Sequence, residues 1–150
     1  MHPRFMIALP PLLQQTTQMN SGQTRTSPEI AILLCTHQGR QFLESQLDSI
    51  QYQSHANWSV YASDDRSTDG TLKVLGAYRE KWGDERLSIR PGPCKGFRAN
   101  FLAVACAQDI LGQYFAYCDQ DDVWEFDKLD IAVRWLAACR TFDLHHCCPR

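Results

Sequence analysis

Residues Glu29–Thr36 read EIAILLCT, in which a continuous apolar run follows Glu29 and is closed by a hydroxyl residue. A strand with one wet face alternates polar and apolar side chains, whereas a strand covered on both faces is apolar throughout. This stretch is therefore expected to be a buried strand of a parallel sheet. Parallel neighbours need a crossover connection, usually a helix. The sequence supplies one directly: HQGR reads as a turn, and in QFLESQLDSI the residues Leu43, Leu47 and Ile50 share one helical face.

The same alternation continues to the end. NWSVYAS is a second strand ending at Asp64, and DDRSTDG is a turn with Ser67, Thr68 or Asp69 as candidate helix caps. The helix after it places Leu72, Leu75, Tyr78 and Trp82 along one side. RLSIR is a third strand, PGPCKG a loop by its Pro and Gly content, and RANFLAVACAQDI a helix. QYFAYC is a fourth strand, and DKLDIAVRWLAACR a helix whose Leu129, Ala132, Val133 and Leu136 keep the spacing of a buried stripe.

Strand and helix in this order predict an α/β fold, a mostly parallel sheet with helices on both faces. The domain should run from about residue 29 to 140, with strands beginning near Ile30, Trp58, Leu87 and Tyr114. Residues 1–28 are expected to be a flexible leader and 141–150 an irregular tail. The leader's apolar patch is broken by Pro10 and Pro11 and is too short for a membrane span.

The bulk numbers narrow the function. A chain of 150 residues suits one domain. A net charge of −2 with no basic run argues against nucleic acid, whose backbone rewards a dense positive face. Seven cysteines are an odd number, which does not suit a disulfide framework and favours a reducing, cytoplasmic compartment. Cys35, Cys106 and Cys118 lie in apolar runs and are expected to be buried thiols, while Cys94 lies in a loop. In the tail, His145, His146, Cys147 and Cys148 are adjacent rather than spaced, so one ion could hardly use them all.

Open α/β sheets bind ligands at the carboxyl ends of their strands. Thr36, the pair Asp64-Asp65 and the cluster Asp119-Gln120-Asp121-Asp122 all fall at such ends. Side chains alternate along an extended segment, so Asp119 and Asp121 should point one way and Gln120 the other. Two carboxylates on one side suit Mg²⁺ or Mn²⁺ kept partly hydrated and shared with a phosphate. A cap on the following helix is the bland alternative for this cluster, as ordinary turn Asp is for Asp64 and Asp65. Trp124 and Trp135 read as core residues, and His37 as a turn histidine that could also serve as a base.

Together AILLCTHQG, SDDRSTDGT, KGFRANF and FAYCDQDDVW…DKL, in this order, resemble the nucleotide-sugar-binding half of glycosyltransferase family 2. Members have the GT-A fold, Rossmann-like and three-layered, and DQDDVW is most similar to the rhamnosyltransferase type. The resemblance covers roughly Glu29 to Leu136. It implies that Thr36 and Asp64 contact base and ribose, with Asp65 beside them, and that Gly96 and Asn100 lie beside the nucleotide sugar. It implies that Asp119 and Asp121 are the D-x-D that binds Mn²⁺ or Mg²⁺ and the diphosphate. Asp122 adjoins this pair, and Trp124 and Lys128 brace the loop.

The implied partners are a UDP- or dTDP-linked sugar and a saccharide or lipid-linked acceptor, with peripheral membrane association compatible with the latter. The implied reaction is a metal-assisted, inverting sugar transfer in cell-surface polysaccharide or glycoconjugate synthesis. Two positions depart from the pattern. Gln38 stands where Asn is usual, and Arg66 where Gly is frequent, which costs if that position needs positive φ. The general base belongs to the later, acceptor-binding half, so it is expected beyond Arg150 and no residue here is assigned to it. A non-catalytic nucleotide-sugar-binding module is the alternative. A phosphotransfer domain fits less well, because its nucleophilic or paired Asp would follow the first strand, where this chain has Cys35-Thr36.

Overall fold

A computed structural model of the chain describes residues 7–8 and 27–139. In chain order the elements are β1 (Ile7–Ala8), β2 (Ile30–Thr36), α1 (Arg40–Gln51), β3 (Trp58–Asp64), α2 (Thr71–Trp82), β4 (Leu87–Pro91), α3 (Phe97–Ala105), β5 (Tyr114–Asp119) and α4 (Lys128–Cys139). The sheet order is β1-β5-β2-β3-β4; β5, β2, β3 and β4 are parallel, and β1 runs antiparallel on the β5 edge.

Strand β2 is the middle of this sheet, and all seven of its residues are buried. Its two faces face different helices. Ile30, Ile32 and Leu34 pack with Leu43, Leu47 and Ile50 of α1, Leu75 of α2 and Leu129 of α4. Ala31, Leu33 and Cys35 pack with Val104 of α3 and Ile110. Helices thus lie on both faces, giving the three-layer α/β arrangement. The flanking strands β3 and β5 alternate buried with half-buried residues at their starts. They read as more polar for that reason.

Several local expectations change in the folded chain. Ile7 and Ala8, placed in a leader without regular structure, pair with Ala116 and Phe115 instead. The tail from 141 to 150, with its His and Cys residues, lies outside the described residues. Leu72 is exposed, and Val74 packs against the core in its place. Trp135 is 71% exposed, so it is not a core residue as Trp124 is. Cys106 is exposed rather than buried, and it caps α3, which stops at Ala105. The segment after it turns so that Asp109 takes both guanidinium NH groups of Arg90, at 3.2 and 2.9 Å.

Candidate functional site

Register decides which acidic turns meet. Thr36 lies opposite Asp64 on β3, and Cys35 lies opposite Asp119 on β5. The carboxyl ends of three neighbouring strands therefore form one rim with β2 in the centre, as the sequence reading required. A cleft of about 110 Å³ opens there, lined among others by Thr36, His37, Asp65, Asn100, Asp119 and Asp121. A second opening beside it is lined by Asp64, Arg66, Leu72, Ile89, Gly92 and Cys94.

The acidic pair after β3 divides its work. The Asp64 carboxylate accepts from the Thr36 hydroxyl at 2.8 Å, the Ser67 hydroxyl at 2.6 Å and the Ser67 N–H at 2.9 Å. A carboxylate offers about four lone-pair sites, so most of its capacity is engaged within its own turn. Asp65 reaches the other way. It accepts from the N–H groups of Cys94 and Gly96, the latter at 3.0 Å, and so ties the loop before α3 to the end of β3. Asn100, 1% exposed, completes this tie through Ser63, donating to its carbonyl at 2.9 Å and accepting from its hydroxyl at 2.6 Å.

Close approach here depends on a glycine the sequence reading passed over as loop. A Cβ on Gly92 would stand 2.7 Å from Asn100 Oδ1, 2.9 Å from Asp65 Oδ1 and 3.1 Å from the Asp64 carbonyl oxygen. Its N–H donates to that carbonyl at 2.7 Å. The only legible signal was a Gly between two prolines, which marks a turn but not a contact.

Both departures from the family pattern have clear structures. Arg66 does sit at positive φ, 65°, a region that costs a side chain free energy. Gln38, also left-handed at φ 51°, bridges two turns. Its side-chain carbonyl accepts from the N–H groups of Thr68 and Asp69 at 2.9 and 3.2 Å, while its amide donates to the Thr68 hydroxyl at 3.0 Å. The longer side chain spans to the neighbouring turn.

The cluster after β5 is the open side of the site. Asp119, Asp121 and Asp122 are exposed. Partial burial, and then the charges of Asp121 and Asp122, push the Asp119 carboxyl above its ordinary range. The same field reaches β2: burial first, then Asp119 and Asp65, push the Cys35 thiol up to about 12. One buried atom thus feels both acidic turns. Asp122 is held aside by Lys128, whose Nζ lies 3.2 Å from its carboxylate and 4.5 Å from the centre of the Trp124 ring.

This donor set fits a divalent cation. Hard carboxylate oxygens are the ligands Mg²⁺ and Mn²⁺ prefer, and an added positive charge would relieve the repulsion recorded at Asp119. Among the described residues no group of three or more His, Cys, Asp or Glu could hold an ion alone. Asp119 and Asp121 would accordingly share it with ligand oxygens and water.

Residues 31–142 match the sequence profile described as Glycosyl transferase family 2. The chain is 31% identical over 117 residues to the putative teichuronic acid biosynthesis glycosyltransferase TuaG of Bacillus subtilis, covering 75% of this chain and 44% of that protein. It is 31% identical over 117 residues to the dTDP-rhamnosyl transferase RfbG of Shigella flexneri, covering 76% of this chain and 39% of that protein. Among solved structures, the mannosyltransferase PcManGT of Pyrobaculum calidifontis, in complex with GDP-Man and Mn²⁺, superposes with a TM-score of 0.66 at 27% identity. That match covers 75% of this chain and 33% of PcManGT. The chain thus spans less than half the length of these relatives.

Proposed function

This chain belongs to glycosyl transferase family 2, and on that premise we propose that it binds a nucleotide-diphosphate sugar, UDP- or dTDP-linked, at the rim formed by β2, β3 and β5. The reaction is transfer of the sugar to a saccharide or lipid-linked acceptor, with inversion, in cell-surface polysaccharide or glycoconjugate synthesis. The observation that carries this reading is the strand register that brings the acidic turns after β3 and β5 to either side of the end of β2, where both line one cleft.

The residues divide by what they can reach. Thr36, Asp64 and Asp65 lie on the β3 side and face the nucleoside. Gly96 and Asn100 hold the start of α3 beside the sugar, through the bonds to Asp65 and Ser63. Asp119 and Asp121 hold Mn²⁺ or Mg²⁺ together with the diphosphate. A bound divalent ion supplies positive charge where the leaving nucleoside diphosphate gains negative charge. The complex of PcManGT with GDP-Man and Mn²⁺ supports both partners. No described helix is long and apolar enough to cross a membrane. The reading places the reaction in the cytoplasm, where thiols such as Cys35 and Cys118 stay reduced.

Calorimetry of UDP or dTDP binding, with and without Mn²⁺ or Mg²⁺, tests the proposal. Binding should strengthen with metal. Asp121→Ala should remove that enhancement, because a hard oxygen ligand is lost. Asp64→Ala should weaken binding with or without metal. Folded variants that both bind like the parent would place the site elsewhere.

A further inference from the structure

Gln120 stands between the two carboxylates of the D-x-D, and because β5 ends at Asp119 and the chain turns there, the expected alternation does not carry through it: its side chain lines the same cleft as Asp119 and Asp121. The Gln120 side chain makes a two-point clamp on the backbone of His37. The His37 N–H donates to Gln120 Oε1 at 2.8 Å, and Gln120 Nε2 donates back to the His37 carbonyl at 3.1 Å. The His37 ring in turn donates from Nδ1 to the carbonyl of Asp65 at 2.7 Å, since a carbonyl oxygen only accepts. One residue of the β2–α1 turn therefore connects both acidic turns across the end of the central strand.

Packing holds the clamp flat. A Cβ on Gly39 would stand 2.1 Å from Gln120 Oε1 and 2.4 Å from its Cδ. Gly39 has an ordinary φ of −102°, so the chain needs glycine here for the room it leaves rather than for its backbone angle. The amide–backbone bonds are solvent-exposed. Water can replace them at small cost in stability. A purely structural account leaves little for them to do.

We propose that Gln120 is a positioning residue that sets where Asp119 and Asp121 stand relative to Asp65, and so tunes how the chain holds a divalent ion with a nucleoside diphosphate. The inference rests on the donor-site reading above. Residues that orient metal ligands typically change metal affinity by about 10–100-fold when replaced. The clamp has two bonds and no buried charge, so the lower end applies.

The test measures UDP binding by calorimetry with and without MnCl₂, and Mn²⁺ binding in the presence of UDP by electron paramagnetic resonance. Gln120→Met keeps length and packing but cannot pair with His37. It should lower the Mn²⁺ enhancement roughly tenfold, leave metal-free UDP binding within about twofold, and barely move Tm. Gly39→Ala displaces Gln120 without replacing it and should give the same loss. In a Gln120→Ala background, Gly39→Ala should add nothing. Undiminished Mn²⁺ enhancement in folded Gln120→Met overturns the proposal, and so does an equal loss with and without metal, which a general structural role would produce. If Gln120→Met does not fold, Gly39→Ala decides by the same criteria. Absence of any Mn²⁺ enhancement in the unsubstituted chain removes this proposal and the donor-site reading together, and that outcome is visible in the parent alone.

Discussion

Gly92→Ala gives a direct test of how the rim is built. The new methyl would lie 2.7 Å from Asn100 Oδ1 and 2.9 Å from Asp65 Oδ1, closer than van der Waals contact allows. The ends of flexible side chains usually yield cheaply, but these two are fixed. Asn100 is held by Ser63 on both its polar atoms, and Asp65 by the N–H groups of Cys94 and Gly96. Relief requires either breaking one of those pairs or moving the loop off the Asp64 carbonyl, to which Gly92 N–H donates at 2.7 Å. Overpacking of this kind costs about 1–3 kcal/mol. For a domain of this size that corresponds to a fall in Tm of roughly 4–13 °C. Calorimetric binding of UDP should weaken as well, because the displaced groups lie at the proposed nucleotide site. Gly76→Ala is the control: nothing lies within 4 Å of a Cβ there, the residue is inside α2, and the change should stabilise by about 0.5–1 kcal/mol. If thermal unfolding shows Gly92→Ala within 1–2 °C of the parent, roughly the shift of a harmless substitution, and UDP binding is unchanged, the crowded packing argued for this rim is wrong.

Thiol labelling followed by mass spectrometry should separate Cys35, Cys94, Cys106 and Cys118. Cys94 and Cys106 are exposed and should react at pH 8, whereas Cys35, pushed up to about 12, holds a thiolate fraction on the order of 10⁻⁴ there and should stay unlabelled in the native protein. Cys118 should be equally silent, since burial raises its thiol well above the usual value. A pH test concerns Asp130, whose carboxyl is lowered chiefly by the Ser54 hydroxyl and further by His55. A depressed folded pKa contributes stability above the ordinary Asp value of 3.8, and that contribution is lost as pH falls through the folded value. Ser54→Ala should therefore lower Tm at pH 7, with the difference shrinking below about pH 3–4. A constant difference across that range would refute the assignment.

The element order was legible from the sequence because periodicity is local. EIAILLCT, NWSVYAS, RLSIR and QYFAYC each carry their burial pattern within a few residues, and the intervening helices announce their apolar faces in the same way. The acidic strand ends were equally legible, since they follow directly from where each apolar run stops. The limits of the pattern also have physical reasons. Leu72 and Trp135 are large apolar residues of α2 and α4 that nonetheless face solvent, so identity alone did not decide their burial. Cys106 lies just past the end of α3 at Ala105, a boundary that the apolar pattern running on to Ile110 did not mark.

The arrangement of the site came only from tertiary structure. Sheet order seats Asp119 beside Cys35 and Thr36 beside Asp64. Nothing in the local chemistry of any one turn specifies that neighbour. The bonds that shape the rim join residues far apart in the chain: Asp65 to Gly96, Ser63 to Asn100, Gln38 to Thr68 and Gln120 to His37. Alternation predicted that Gln120 points away from the carboxylates, but the chain turns after Asp119, so Gln120 lines their cleft and meets His37 of the turn after β2. A side chain's direction is a property of its own strand, whereas its partner is a property of the strand beside it.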